Sequence, residues 1–407
     1  MTVRLRFKNF LREKNDLSTT GEETLLSVSE YYGIQPRSMA FSEERQESRA
    51  DSLEGYRIVA PGDFVMNYML AWRGAYGVSD HAGIVSPAYS VFEVDQDIVD
   101  LRYLHHRSRS KDMQGIFRCN SKGIMESRLR LYPENLLSIN IDLPSLEEQS
   151  AIANFLDRET MRIDSLIDRK NRFIALLHEK RNAVISDSVT KGLSNEVPMQ
   201  ASEILSIGNV PAHWGINPVG RALRLTKRIV GDRHEQFSLL SLTTRGVIER
   251  DVSQNFGKFP ESFDTYQQVE PGNFVFCLFD IDETPRTVGL SEKAGMITGA
   301  YAVFECTEPA YARYLLNLFL HLDNCKGLKP FYTGLRKTIR PPRFTSIRIP
   351  FPPEEEAREI ADYIERQCSK IDQLIDRTQR SIELLREHRT ALITAAVTGK
   401  IDVRTAA

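Results

Sequence analysis

Cysteine is sparse and irregular: the 407 residues hold five, at Cys119, Cys277, Cys306, Cys325 and Cys368. The number is odd and no two form a Cys-x-x-Cys pair, which argues against a disulfide framework and a structural zinc site. Most of them read as small apolar core residues. No apolar run approaches the roughly 20 residues of a membrane span. The opening, Met1 to Phe10, alternates basic and apolar residues too closely for a secretory signal, so the expected location is the cytoplasm. An excess of one charge is missing as well: 53 basic against 55 acidic residues leave a net charge of −2. A polyanion would have to be met by local basic patches.

Catalytic signatures are absent too. Gly399-Lys400 lacks the upstream glycine and the following hydroxyl of a Walker A loop. There is no His-Glu-x-x-His and no Gly-x-Ser-x-Gly. Asp280, Asp282 and Glu283 stand close together, but no His or further carboxylate stands at ligand spacing. A salt bridge to Arg286 is the simpler expectation. The chain is expected to be no enzyme and to hold no metal.

What is present is a duplication, at a shift of about 208 residues. Ile163-Asp164-Ser165-Leu166-Ile167-Asp168-Arg169 returns as Ile371-Asp372-Gln373-Leu374-Ile375-Asp376-Arg377. Pro61-Gly62-Asp63-Phe64-Val65 returns as Pro271-Gly272-Asn273-Phe274-Val275, and Gly83 to Phe92 as Gly295 to Phe304. Matched blocks in one order mean two copies of a module followed by a helical arm.

The arms are marked by further absences. No glycine falls between Gly123 and Gly192 or between Gly334 and Gly399, and no proline between Pro144 and Pro198 or after Pro353. Those windows are free of helix breakers. Ser145 with Glu148 fits a capping box, and Glu354, Glu355 and Glu356 after Pro353 fit a first helical turn. Apolar residues recur at steps of three and four: Ile152, Leu156, Ile163, Leu166, Ile167, Ile174 and Leu177, then Ile360, Ile364, Ile371, Leu374, Ile375, Ile382 and Leu385. That is a coiled-coil seam. About 45 residues make an arm on the order of 65 Å. So long a helix exceeds one small module, so the arms are expected to bury their stripes against each other. If the second module is compact, the end of arm one sits beside the start of arm two, and the arms run antiparallel.

The modules mix short strand-like runs with short helices, an α+β pattern. Each ends in a basic stretch, from Arg102 to Arg130 and from Lys326 to Arg348, the second without one acidic residue. Lysine and arginine neutralise phosphate, and arginine can pair with guanine. The candidate DNA contacts are Asn67, Arg73, Arg107, Arg109, Lys111, Lys122 and Arg128 in the first copy, with His105 and His106 as further donors. In the second they are Thr284, Arg286, Lys329, Arg336, Lys337 and Arg340. A coiled-coil scaffold that joins proteins without reading DNA is the alternative.

Pro144-Ser145-Leu146-Glu147-Glu148-Gln149 with Ile152 and Leu156 resembles the opening of the helical regions in specificity subunits of type I restriction–modification systems. The second copy departs from it, with Glu354 in place of the leucine and Ala357 in place of the glutamine. The resemblance covers nearly the whole chain. It implies a first target-recognition domain over 1–143, a long helix over 144–192, a connector over 193–209, a second recognition domain over 210–351, a second long helix over 352–400 and a tail over 401–407. The fold class follows: α+β, two recognition domains joined by two long antiparallel helices in a coiled coil, with a pseudo-twofold duplication. The resemblance also implies that each domain reads half of a bipartite, asymmetric duplex DNA site, with the helices setting the spacer. Two methyltransferase subunits carrying S-adenosylmethionine would dock on the chain, and two translocase–nuclease subunits using ATP with Mg would join where the system cleaves. This chain would hold no cofactor. No Asn/Asp-Pro-Pro-Tyr/Phe motif for a flipped adenine occurs in it.

Overall fold

Phe64, Val65, Met66 and Asn67 are all buried, with no alternation of inward and outward residues. A strand covered on both faces requires that pattern. The structure is a computed structural model that describes residues 2–30, 33–40, 52–125, 128–194, 196–250 and 263–403. It divides into two compact units, Met1–Asn171 with Gln379–Ala407, and Arg172–Thr378. Among the described residues no helix is long and apolar enough to cross a membrane.

The first unit runs β1 (Val3–Arg6), β2 (Leu11–Lys14), β3 (Leu26–Ser29), β4 (Gly33–Pro36), α1 (Arg37–Ala40), β5 (Arg57–Val59), β6 (Phe64–Asn67), β7 (Tyr76–Val78), β8 (Gly83–Val85) and β9 (Tyr89–Val94). Then come α2 (Leu101–Ser108), α3 (Lys111–Cys119), α4 (Pro133–Ser138), β10 (Asn140–Leu143) and the start of α5 (Leu146–Lys191). Its main sheet is antiparallel with strand order β2-β9-β6-β7. The pairs β1–β10, β3–β4 and β5–β8 flank it. The core joins Phe7, Phe64, Tyr76, Phe92 and Phe117 to Ile152 and Leu156 of α5.

The second unit repeats this plan. After β11 (Met199–Ala201) and β12 (Asn209–Pro211) come β13 (Gly215–Pro218), β14 (Leu223–Thr226), β15 (Leu240–Thr243), β16 (Gly246–Glu249), β17 (Gln267–Val269), β18 (Asn273–Phe276), β19 (Val288–Leu290), β20 (Gly295–Ile297) and β21 (Ala302–Cys306). α6 (Ala312–Asn324), α7 (Pro341–Ser346), β22 (Arg348–Phe351) and α8 (Glu354–Val397) complete the order. The sheet order is β14-β21-β18-β19, and the pairs are β13–β22, β15–β16 and β17–β20. Each strand pair of the first module has its counterpart.

The repeated sequence blocks are the joints of this plan. Gly62 and Gly272 take positive φ, 95° and 85°, in the turn before the central strand. The following Asp63 or Asn273 accepts the amide of Ala60 or Glu270 at 2.7 and 2.9 Å. Glycine at 83 and 295 answers a different need. A Cβ there would stand 2.2 Å from the Thr24 carbonyl oxygen or 2.5 Å from that of Ser238.

The long helices start and pack as their sequences direct. Ser145 Oγ accepts the Glu148 amide at 3.3 Å, an N-cap bond. Buried Gln149 accepts the Asp100 amide and donates to the Pro144 and Ile98 carbonyls. In the second copy Ala357 takes the place of that glutamine and is buried in the apolar core. The Tyr311 hydroxyl donates to the Pro352 carbonyl instead, at 2.9 Å. The departure from the motif is thus matched by a second donor, as a buried carbonyl requires.

Within the first unit, Ile152, Ala153 and Leu156 of α5 share a core with Ile393, Ala396 and Val397 of α8, and further on Asp164 meets Arg389 at 3.0 Å. Numbering rises along one helix as it falls along the other, so the segments are antiparallel. Within the second unit, Ile185 and Val189 share a core with Ile360, Ile364 and Cys368, and Arg181 meets Asp372 at 3.4 Å. The sense is again antiparallel.

Details differ from expectation. Leu374 is 43% exposed, and Leu166, Ile174, Ile375 and Leu385 are only half-buried, while Ile163, Ile167, Leu177, Ile371 and Ile382 are buried. The first turns of each helix pack into a module core as well as on the other helix, because each helix directly follows a strand of that module. The stretch over 193–209 is more than a connector. β11 pairs with β12, and Ile204 and Ile207 are buried in the second module's core.

Candidate nucleic-acid interface

In the second module three loops are fastened together. The first is the β15–β16 turn, the second follows β18, and the third is a hairpin closed by Thr333 and Thr338. Arg286 donates to the Thr244 carbonyl at 3.0 Å, joining the second loop to the first. The Asp280 amide donates to the Arg336 carbonyl at 2.9 Å, and the Ile339 amide to the Leu278 carbonyl at 2.8 Å. Asp282 then gathers the cations: Lys329 lies at 3.7 Å, Lys337 at 3.4 Å, and the Tyr332 hydroxyl donates to it at 3.2 Å. Desolvation raises the Asp282 carboxyl, but these partners hold it below the usual carboxylate range. Lys337 also meets Glu283 at 3.2 Å.

The acidic residues missing from the basic stretch therefore come from outside it, Asp282 from the loop after β18 and Asp323 from the end of α6 just upstream. Lys326 pairs with Asp323, and Arg348 with Glu203. Exposed basic groups left at the hairpin are Arg336, Arg340 and Arg343, the last with its guanidinium over the Phe331 ring. Beside them Phe279 and Tyr301 stack, centroids 6.1 Å apart, at a concavity of about 200 Å³.

Several expectations here need correction. Arg286 does not pair with Asp280, Asp282 or Glu283, because its guanidinium is turned to the Thr244 carbonyl; Lys329 and Lys337 meet Asp282 instead, and Lys337 meets Glu283. Thr284 caps its own turn by donating to the Asp280 carbonyl at 2.9 Å. Thr284 and Arg286 are thus framework. No group of three His, Cys, Asp or Glu able to hold a metal occurs among the described residues.

The first module has the same three loops. The hairpin is closed by Lys122 and Arg130, and the Leu131 amide donates to the Tyr68 carbonyl at 2.9 Å, as Ile339 does to Leu278. Arg73 reaches Glu30 in the β3–β4 loop at 3.1 Å, and Trp72 lies beneath Arg73 and Arg118, each 5.7 Å from a ring centroid. Arg73, Lys111, Lys122 and Arg128 are exposed.

Other first-copy candidates are interior. Asn67 is 3% exposed and its Oδ1 accepts the Met69 amide. Arg107 is 7% exposed and donates to Ser110 and Asp112. Arg109 spends its guanidinium on the carbonyls of Glu30, Gly74 and Tyr76. Burial, and then the Arg109 charge, push His105 down to about 3, while His106 Nε2 sits 2.8 Å from Asp157. These residues brace the loops rather than face a ligand.

Sequence reasoning missed two apolar residues in the hairpins. Ile124 and Leu335 are each 104% exposed. The signal was there, in Gly123-Ile124 and Gly334-Leu335 inside the basic stretches.

No family model matches the chain. It is similar to the type I restriction enzyme MjaVIII specificity subunit of Methanocaldococcus jannaschii, 25% identical over 349 residues, or 79% of this chain and 75% of that protein. It is also similar to the type I restriction enzyme EcoKI specificity subunit of Escherichia coli, at 24% identity over 48% of this chain and 45% of that one. Its fold matches a chain from a solved structure concerned with complex assembly and conformational transition of the type I restriction–modification system. There the TM-score is 0.60 at 14% identity, over 97% of both chains. The resemblance to type I specificity subunits, carried in the sequence by the helix openings, is borne out.

Proposed function

We propose that this chain, similar over 79% of its length to a type I specificity subunit, is the DNA-reading subunit of such a restriction–modification system. Each module reads one half of a bipartite site. The exposed basic groups of the hairpin loops, Arg336 and Arg340 in one copy and Lys122 and Arg128 in the other, take phosphates and guanine edges. The loops differ in sequence between copies, so the two halves of the site differ and the whole is asymmetric. The chain itself is non-catalytic. It directs adenine methylation by two methyltransferase subunits that carry S-adenosylmethionine, and restriction subunits using ATP and Mg join where the system cleaves. Its place is the cytoplasm, with the DNA.

One observation carries the reading: the same three-loop basic surface recurs in both modules although the loop residues have changed. The test is to produce the chain with the methyltransferase encoded beside it and to map methylated adenines on a plasmid. A motif of two unlike halves around an unspecific spacer is expected. Assembly with the methyltransferase but methylation without any sequence motif would overturn the reading in favour of a scaffold.

A further inference from the structure

The geometry points to Leu335 and Ile124 as apolar wedges that enter the duplex at a base step in their respective half-sites. The inference rests on the DNA-reading proposal above.

A single exposed leucine is ordinary on a protein surface. Here three features coincide, and they do so twice. First, Leu335 and Ile124 are as exposed as in an extended peptide, 104% each, Leu335 at the tip of the hairpin closed by Thr333 and Thr338 and Ile124 just after Lys122, which closes the other with Arg130. Second, each follows a glycine with positive φ, 76° at Gly334 and 150° at Gly123, a backbone that residues with a side chain rarely adopt. Third, each is flanked in the chain by exposed basic residues, Arg336 and Arg340 for Leu335, Lys122 and Arg128 for Ile124. Such a surround is unfit for an apolar protein partner and fit for a polyanion.

The hairpin carrying Leu335 is braced. Thr333 and Thr338 exchange backbone hydrogen bonds at 3.0 and 3.2 Å, the Arg336 carbonyl accepts from Asp280, and Lys337 is held by Asp282 and Glu283. A pre-ordered tip loses little freedom on binding. The arrangement matches what an intercalating side chain needs: cations to grip the phosphates on either side, and an apolar group to replace stacking at the opened step. Unstacking a step costs a few kcal/mol and differs between sequences, so the wedge would add discrimination at bases that no polar group touches.

The experiment uses the full chain assembled with its methyltransferase subunits and a duplex bearing the mapped site. 2-Aminopurine is placed in turn at each step of both halves, leaving out the methylated adenine. The unaltered complex should raise the fluorescence at one step per half. L335A should abolish the rise in one half and I124A in the other. Each should weaken specific binding by about tenfold, the loss expected when a leucine-sized group no longer leaves water. The slope of log affinity against log salt should stay unchanged, since no phosphate contact is removed. L335M, which keeps an apolar group of similar size, should restore signal and affinity. Specific binding with no rise at any step, or L335A behaving as the unaltered complex, overturns the wedge and leaves the reading function standing. Failure of the unaltered complex to prefer the mapped duplex over an unrelated one overturns both.

Discussion

Arg389 and Asp164 form a two-pronged ion pair, with Nε 3.0 Å from Oδ1 and Nη2 3.2 Å from Oδ2. They belong to different copies of the repeat. Asp164 corresponds to Asp372, and Arg389 corresponds to Arg181, and those two are paired in their turn at 3.4 Å. Each unit thus joins the two helices with one acid and one base drawn from opposite copies. A single pair of ancestral residues, duplicated, supplies both clasps.

Because the Asp164–Arg389 side chains are 41% and 23% exposed, the pair stabilises modestly. Asp164→Arg or Arg389→Asp alone should cost on the order of 1 kcal/mol or less, and the charge-swapped double should recover most of it. Thermal unfolding of the four proteins measures this. Equal losses that simply add in the double would show that the clasp contributes nothing.

The glycines at 83 and 295 admit no side chain. Gly83→Ala and Gly295→Ala each drive a Cβ onto a backbone carbonyl, at 2.2 and 2.5 Å. Each should destabilise its module by about 1–3 kcal/mol, as overpacked cores do. Denaturant unfolding provides the check. Gly55→Ala, with open space around it but positive φ, should cost only the backbone strain.

His105 gives the first module a pH dependence. In the folded state the ring stays neutral down to about 3, whereas the unfolded side chain protonates near 6.5. Between those values the unfolded state holds the extra proton. Stability is therefore whole above about 6.5 and falls by at most about 1.4 kcal/mol per unit as the pH drops toward 3. His105→Gln should remove one proton's worth of that slope. An unchanged slope would place the titration elsewhere.

At the second hairpin, Arg336→Glu with Arg340→Glu should weaken duplex binding and reduce the salt slope by about two phosphate contacts. Lys337 is left alone because it holds the loop through Asp282 and Glu283. Assembly with methyltransferase subunits should survive. Retained affinity, measured by fluorescence anisotropy across a salt series, would remove these arginines from the interface.

The parts of the fold legible in the sequence were those set by local or periodic rules. The helices announced themselves by missing glycine and proline, by Ser145 and by the seam of Ile163, Ile167 and Ile371. The duplicated turns at Gly62 and Gly272 marked the central strands. What stayed hidden depended on three-dimensional neighbours. Nothing in the run from Lys326 to Arg348 shows that Asp282, from the loop after β18, will neutralise two of its lysines. Nothing around Arg107 and Arg109 shows that they point inward to Asp112 and to backbone carbonyls. Charge in a stretch can be counted from sequence, but exposed charge is a property of the fold. The stretch over 193–209 misled for a related reason: its strand finds its partner only once Asn209–Pro211 has turned back.

The most direct measurement exchanges the second module together with its β11–β12 stretch, residues 199–351, for that of a related specificity subunit and maps adenine methylation again. One half of the motif should change to the donor's half while the other half stays as it was. A motif altered in both halves, or in neither, would contradict independent reading by the two modules.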